Sequence, residues 1–255
     1  MNILILAAGY ATRLYPLTLT KAKPLLAVAG QPMMEWVIDN LAPIDGIEKV
    51  YVVTNSKFAA DFQAWADGYN QTHAKLAFEI INDGSTGDAD KLGAIGDINL
   101  CIARAGLDQS DLIVVAGDNL FNQSLGEFGK FCREKGQPVL GLYDVGSLDE
   151  AKKYGVVAIN AAGEITSFEE KPAEPKSTLI GIALYYYPAA TVAMIPTYLA
   201  AGNNPDQPGR FVQWLYQRTP VQTWRVPGTW FDVGSKETLE EANRIFAEFV
   251  KQLGL

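Results

Sequence analysis

The chain has 255 residues, 48% of them hydrophobic, 20% charged and 11% aromatic, with a formal net charge of −8. That length and balance suit one large α/β domain or two small ones, and they exclude a disordered chain. The acidic total speaks against a polynucleotide partner. Two cysteines and one histidine speak against a disulfide framework, a zinc site and Ser–His–Asp chemistry.

Any metal must then be held by carboxylates, which points to a hard ion such as Mg²⁺. No signal peptide is visible, and no apolar run approaches the ~20 residues needed to span a bilayer. A cytoplasmic protein is the expectation. Cys101 and Cys132 lie in apolar helical patterns and read as buried free thiols, and His73 reads as a surface residue.

Asn2–Ala8 is nearly all aliphatic, as expected of a strand buried on both faces. Residues 32–41 read as a helix with Pro32 in its first turn, Val50–Thr54 as a β-branched strand, and Lys57–Tyr69 as an amphipathic helix with Phe58, Phe62 and Trp65 on one stripe. Leu76–Ile81 is a strand, Leu92–Ala105 a helix, Leu112–Ala116 a strand, Leu125–Lys135 a helix and Val139–Tyr143 a strand. This alternation implies a parallel, doubly wound sheet.

After about residue 144 the rhythm changes. Gly155–Asn160 and Glu164–Glu169 flank Ala161-Ala162-Gly163 and read as a hairpin. Ile180–Tyr187 is a strand, Ala189–Leu199 a helix, and Asn203–Gly209 a loop by its Pro and Gly content. Phe211–Arg218 reads as a helix, Val221–Val226 as a strand and Lys236–Gln252 as a closing amphipathic helix. No Gly/Ser linker divides the chain.

Ligands of open α/β sheets bind beyond the carboxyl ends of the strands. The first strand ends at Gly9, and a short loop then presents Thr12 and Arg13, with Lys21 and Lys23 following. Small side chains let backbone N–H groups approach phosphate oxygens, Arg offers a rigid fork and Lys a compact charge. The spacing is neither GxxxxGK[ST] nor GxGxxG. Asp118 follows five aliphatic residues and a glycine; a carboxylate there is costly unless paired or bound to metal, although a helix cap is the alternative. Asp232, between Phe231 and Val233, invites the same argument. Two such aspartates could hold one Mg²⁺ against phosphate oxygens. Glu170 and Lys171 end the second hairpin strand, and alternation puts them on opposite faces if that strand continues.

In order along nearly the whole chain, LAAGYATRLYPLT…AKPLLAVAGQPMMEW, VVAGDNLF, YGVV, FEEKP and TWFDVGSKETLEEAN resemble the motifs of the sugar-phosphate nucleotidylyltransferases, especially the short bacterial glucose-1-phosphate thymidylyl- and uridylyltransferases. The fold this implies is α/β, a doubly wound, mostly parallel, Rossmann-like sheet of GT-A type with β-hairpin elements inserted in the second half. It implies one domain over residues 1–255, with a nucleotide-binding half (1–144) and a sugar-phosphate-binding half (145–255).

By the same resemblance, Leu6, Ala7, Ala8 and Gly9 line the nucleoside, Arg13 holds the triphosphate, and Lys23 contacts phosphates near the reacting centre. Asp118 and Asp232 bind Mg²⁺. Thr12 belongs to the nucleotide loop, and Asn82 and Gly93 are the matches for base and nucleoside contacts. Gly155 and Glu170 contact sugar hydroxyls, Lys171 the sugar phosphate, and Gly181 lets the sugar approach. The partners implied are a nucleoside triphosphate, UTP or dTTP ahead of CTP, and a sugar 1-phosphate. Neither nucleic acid nor membrane is expected, and a homo-oligomer is allowed.

The chain departs from the family by carrying Ala11 where a glycine is usual, beside bulky Tyr10. It also shows no hexapeptide-repeat β-helix. Three other readings compete: a non-sugar phosphate acceptor such as phosphocholine, a non-catalytic nucleotide-sugar binder, and a glycosyltransferase. Asp118-Asn119-Leu120 lacks the second Asp of an Asp-x-Asp, which counts against the last.

Overall fold

The computed structural model describes residues 1–73 and 76–253. Among them, nine strands form one sheet. Its nucleotide-side half is parallel, in the spatial order Leu112–Ala116, Asn2–Leu6, Val50–Thr54, Phe78–Asn82. Parallel neighbours require crossovers, and helices Met33–Leu41, Ala59–Thr72 and Ala94–Ala105 supply them.

Alternate residues of each strand point to opposite layers. Ile3, Ile5, Val50, Val52, Ile113 and Val115 pack with Val37, Phe62 and Phe128 on one face. Leu4, Tyr51, Val53, Leu112 and Val114 pack with Ile98, Tyr198 and Phe211 on the other. With both faces covered, the strands have no polar side to present, which is why they read as unbroken aliphatic runs.

The second half extends the same sheet with antiparallel strands. Leu179–Tyr187 runs beside Leu112–Ala116 on one edge and Val139–Asp144 on the other, and Gln222–Arg225 then adds parallel to Val139–Asp144. The expected hairpin forms from Gly155–Ile159 and Ile165–Glu170 and joins through Ile180 and Gly181. Gly181 faces Leu142 while Tyr185 faces Leu140, so four residues on one strand advance against two on its partner. This bulge re-aims Leu179–Tyr187, whose first part pairs with the hairpin and whose last part pairs with Leu112–Ala116.

Several expectations need correction: the first strand ends at Leu6, the helix expected over Lys57–Tyr69 spans Ala59–Thr72, and the helix expected over Phe211–Arg218 spans Pro208–Leu215. The helix expected over Ala189–Leu199 is two short helices, Ala189–Val192 and Ile195–Ala200, because Pro196 has no N–H to continue the ladder. The loop expected over Asn203–Gly209 ends early: Pro208 and Gly209 form the first turn of helix Pro208–Leu215, with proline where helices tolerate it best. The strand expected over Leu76–Ile81 starts and ends later, at Phe78–Asn82. A further ladder was not foreseen, antiparallel between Asn119–Phe121 and Trp230–Asp232. The closing helix Lys236–Leu253 docks on Met33–Leu41, with Trp36 and Phe246 rings edge to face at 4.9 Å.

Cys101 and Cys132 are buried and unbridged, and His73 is exposed and stacked on Tyr69. Among the described residues, no helix is long and apolar enough to cross a membrane.

Candidate active site

Asp118 lies just past the end of Leu112–Ala116. Its neighbour Gly117 donates its N–H to the Leu6 carbonyl, and a side chain there would press on Ile5 and Pro24 at 3.1–3.2 Å. The glycine therefore lets the first strand, the turn at Pro24 and the Asp118 corner meet. Asp232 arrives from the far end of the chain, opposite Asn119 in the short ladder. Lys23 opens the turn Lys23–Leu25 and reaches both acids: its Nζ is 2.5 Å from Asp118 Oδ2 and 3.9 Å from Asp232 Oδ1.

Burial is the largest single influence on both Lys23 and Asp232. It pushes the Lys23 ammonium down, but the Asp118 and Asp232 charges outweigh it and the net shift is upward. Asp232 is pushed up to about 6, chiefly by burial and then by Asp118, against the pull of Lys23, Arg13 and Lys171. The two crowded carboxylates share one ammonium, that of Lys23. A donor set of hard oxygens on two carboxylates fits Mg²⁺, which is commonly held by one or two carboxylates plus substrate phosphates. Among the described residues, no three acidic, His or Cys side chains cluster to hold a metal alone.

Two cavities meet at Asp118. The smaller, about 160 Å³, is lined by Leu6, Ala7, Gly9, Ala11, Lys23 and Pro24. The larger, about 1050 Å³, takes in Arg13, Asp232, Gly155, Glu170, Lys171 and Gly181. Leu6, Ala7, Gly9 and Lys23 thus face one space, and the four residues assigned to the sugar phosphate face the other.

Several backbone groups of the first loop are already engaged. The Leu6 carbonyl accepts from Gly117, the Ala7 N–H donates to Val53, and the Ala8 carbonyl accepts from Asn55 Nδ2 at 2.9 Å. Gly9 is exposed, with nothing within 4 Å of where a side chain would begin. Thr12 is exposed and lines neither cavity.

Asn82 and Gly93 also lie outside both cavities. Asn82 Oδ1 accepts from Gly84 N–H at 2.9 Å and Ser56 Oγ at 3.1 Å, so it holds the turn after its strand. Gly93 has φ +79, and a Cβ there would sit 2.7 Å from the Pro205 carbonyl oxygen and Asp206 Cα. Its lack of a side chain serves that backbone approach. Tyr10 is buried, its hydroxyl 3.3 Å from Ser85 Oγ, which ties the first loop to the loop after Asn82.

The strand does not continue past Glu170, so alternation does not reach Lys171. Glu170 and Lys171 line the same cavity because the strand stops at Glu170 and Lys171 turns left-handed, at φ +48. Its N–H still donates to the Tyr154 carbonyl at 3.0 Å. The sequence reading also missed an aromatic wall: Trp230 packs against Tyr143 and Tyr154 with ring centroids 5.4 and 5.5 Å apart. Gln207, Pro208 and Gly209 were missed too, and they line the large cavity from the first turn of a helix. Reading them as the end of a loop hid them; a proline followed by glycine before an apolar stripe was the available signal.

A doubly wound sheet whose strand ends carry converging acids, cations and two cavities that share Asp118 suits a nucleotide-handling α/β transferase. The chain belongs to the nucleotidyl transferase family, whose model matches residues 2–248. It is 30% identical to the UTP–glucose-1-phosphate uridylyltransferase AglF of Haloferax volcanii, with 99% of each chain covered. It is 25% identical to a glucose-1-phosphate thymidylyltransferase of Streptomyces antibioticus, over 97% of this chain and 67% of that one. A Bacillus anthracis crystal structure, assigned as a glucose-1-phosphate thymidylyltransferase, superposes with a TM-score of 0.83 at 25% identity, over 97% of this chain and 96% of the other.

Proposed function

We propose that this protein moves a nucleoside monophosphate from UTP or dTTP to a hexose 1-phosphate, releasing pyrophosphate, with Mg²⁺ held by Asp118 and Asp232. The observation that carries this reading is the meeting of those two carboxylates on Lys23, with Asp118 lining both cavities. The triphosphate then lies along the Gly9 loop. The sugar 1-phosphate lies in the large cavity, its phosphate toward Lys171 and its hydroxyls toward Glu170. Relatives named as glucose-1-phosphate uridylyl- and thymidylyltransferases support both the donor and the acceptor class.

A phosphate oxygen of the acceptor attacks the α-phosphorus in line. That oxygen is already ionised at neutral pH, so the chain needs no general base, in keeping with a remote His73. Lys23 and Arg13 hold the two anions together and stabilise charge on the departing pyrophosphate. When bound, the divalent ion supplies charge neutralisation between reactants that repel each other.

The test is a matrix of nucleoside triphosphates against sugar 1-phosphates, read by pyrophosphate release with Mg²⁺ and with chelator. Release is expected with UTP or dTTP and a hexose 1-phosphate, and its loss with chelator. Nucleotide-sugar binding without release for any pair would instead make the protein a non-catalytic binder. Release only with a non-sugar phosphate would move the acceptor class.

A further inference from the structure

Phe168 and Glu170 lie on one wall of the large cavity, and three glycines from three separate elements make room for them. Gly155 opens the strand Gly155–Ile159, Gly181 lies in Leu179–Tyr187, and Gly209 sits in the first turn of Pro208–Leu215. A Cβ on Gly155 would run into the Phe168 ring and fall 3.1 Å from Glu170 Oε2. On Gly181 it would meet Leu140 Cδ2 at 2.8 Å and Phe168 Cε2 at 3.3 Å. On Gly209 it would lie 2.8 Å from Glu170 Oε2 and 2.9 Å from Phe168 Cζ.

Gly209 is the unexpected member of this set. Its backbone is not left-handed, so conformation does not call for glycine. Helix propensity opposes it, by about 1 kcal/mol relative to alanine. Space is the remaining physical reason. Phe168 is 4% exposed and enclosed by the three glycines, so it has nowhere to go. The Glu170 carboxylate is the movable neighbour, half-buried and facing Lys171 and Arg210.

The helix bearing Gly209 cannot easily slide away. The segment before it is fastened to the head of Ala94–Ala105, where the Ile95 N–H donates to the Pro205 carbonyl at 2.8 Å and the Ala94 N–H to the Asp206 carbonyl at 3.2 Å. Lys91 adds an ion pair to Asp206 at 3.3 Å. A side chain at 209 would therefore press on the Phe168 ring at 2.9 Å and displace Glu170, the neighbour with room to move.

We propose that Gly209 is a positioning residue for acceptor recognition: the bare Cα in the first turn of Pro208–Leu215 seats the Glu170 carboxylate, and that seat determines how the acceptor's hydroxyls are met. The proposal rests on the sugar-phosphate reading of the large cavity.

The test is steady-state kinetics on the wild type, Gly209→Ala, Glu170→Ala and the double variant, varying each substrate in turn. Gly209→Ala is expected to raise KM for the sugar 1-phosphate about tenfold or more while KM for the nucleotide stays within about twofold. In the Glu170→Ala background the same change should move the acceptor KM by less than about twofold, because its target is gone. An unchanged acceptor KM in Gly209→Ala overturns the proposal. So does an equal effect with and without Glu170, or an equal rise in both KM values.

If Gly209→Ala lowers Tm by more than about 5 °C, Phe168→Leu/Gly209→Ala is compared with Phe168→Leu alone. That pair relieves the ring contact and keeps the carboxylate contact, and the same KM split is expected. A wild type that turns over no sugar 1-phosphate overturns the functional reading and this proposal with it. An active wild type with an indifferent Gly209→Ala overturns this proposal alone.

Discussion

Asp232 is the ladder partner of Asn119, the residue that follows Asp118. A ladder of three residues on each side thereby sets two acids beside one lysine, at 2.5 and 3.9 Å from its Nζ. Asn119 braces the arrangement: its Nδ2 donates to the Ala183 carbonyl at 2.9 Å, inside the strand bulge, and its Oδ1 accepts from Trp230 Nε1 at 3.2 Å.

If, as proposed, Asp118 and Asp232 hold the divalent ion, Asp118→Asn and Asp232→Asn should each lower kcat by about two orders of magnitude or more. Circular dichroism should be unchanged. Near-normal pyrophosphate release from either variant would remove that carboxylate from the reaction.

Lys171→Ala should act on the acceptor. Loss of one charge-assisted contact to a phosphate is worth about 1.5–3 kcal/mol, or roughly a 10- to 100-fold rise in KM for the sugar 1-phosphate. The Lys171 backbone bond to Tyr154 survives the change, so the strand end should hold its shape. An unaltered acceptor KM would contradict the assignment.

Ala11 sits left-handed, at φ 47 and ψ 45, in the position where the resembled motif carries glycine. An L-residue pays roughly 1–2 kcal/mol for that conformation and glycine does not. Ala11→Gly should therefore raise stability, by about 1 kcal/mol at most once the freer unfolded chain is counted. Equilibrium urea unfolding measures this, and a clear loss of stability would show that the turn is not strained.

Asp97 supplies a pH dependence away from the reacting centre. It is 6% exposed, and among the described residues its Oδ1 has no hydrogen-bond partner, while its carboxyl shares a hydrogen bond with Asp83. Burial first, then the facing carboxylates of Asp83 and Asp206, push it up to about 8. The unfolded chain releases this proton near pH 4, so between about 4 and 8 the folded state holds one proton more. Stability from this group is full below that window and falls as pH rises through it, by about 1.4 kcal/mol per pH unit, then levels off. Asp97→Asn should flatten the slope in urea titrations from pH 5 to 8. A slope identical to that of the wild type would show that Asp97 is ionised in the folded protein.

Much of the fold was legible because burial on both faces leaves a local mark. Val50–Thr54 and Leu112–Ala116 match their aliphatic runs residue for residue, and Asn160–Glu164 turns where Gly163 predicts it. The misses fall where local pattern carries little information. Trp230–Asp232 is too short to show a period. Pro196 splits a helix whose stripe is otherwise continuous, and Lys171 leaves the strand alternation by one left-handed residue. The glycines told less than their neighbours did. Gly181 and Gly93 announced closeness, but not that Leu140 and Phe168 fill the space beside one and Pro205 and Asp206 that beside the other.

By itself the sequence determined the parallel sheet, the loop that follows its first strand and the acids and cations available to it, since each of these depends on neighbours along the chain. Tertiary structure alone decided that Asp232 comes to Asp118, that Glu170 and Lys171 share one cavity, and that Pro208 and Gly209 reach it. Those placements depend on backbone pairings and volumes contributed by distant segments, and no local pattern of side chains encodes which distant segment will arrive.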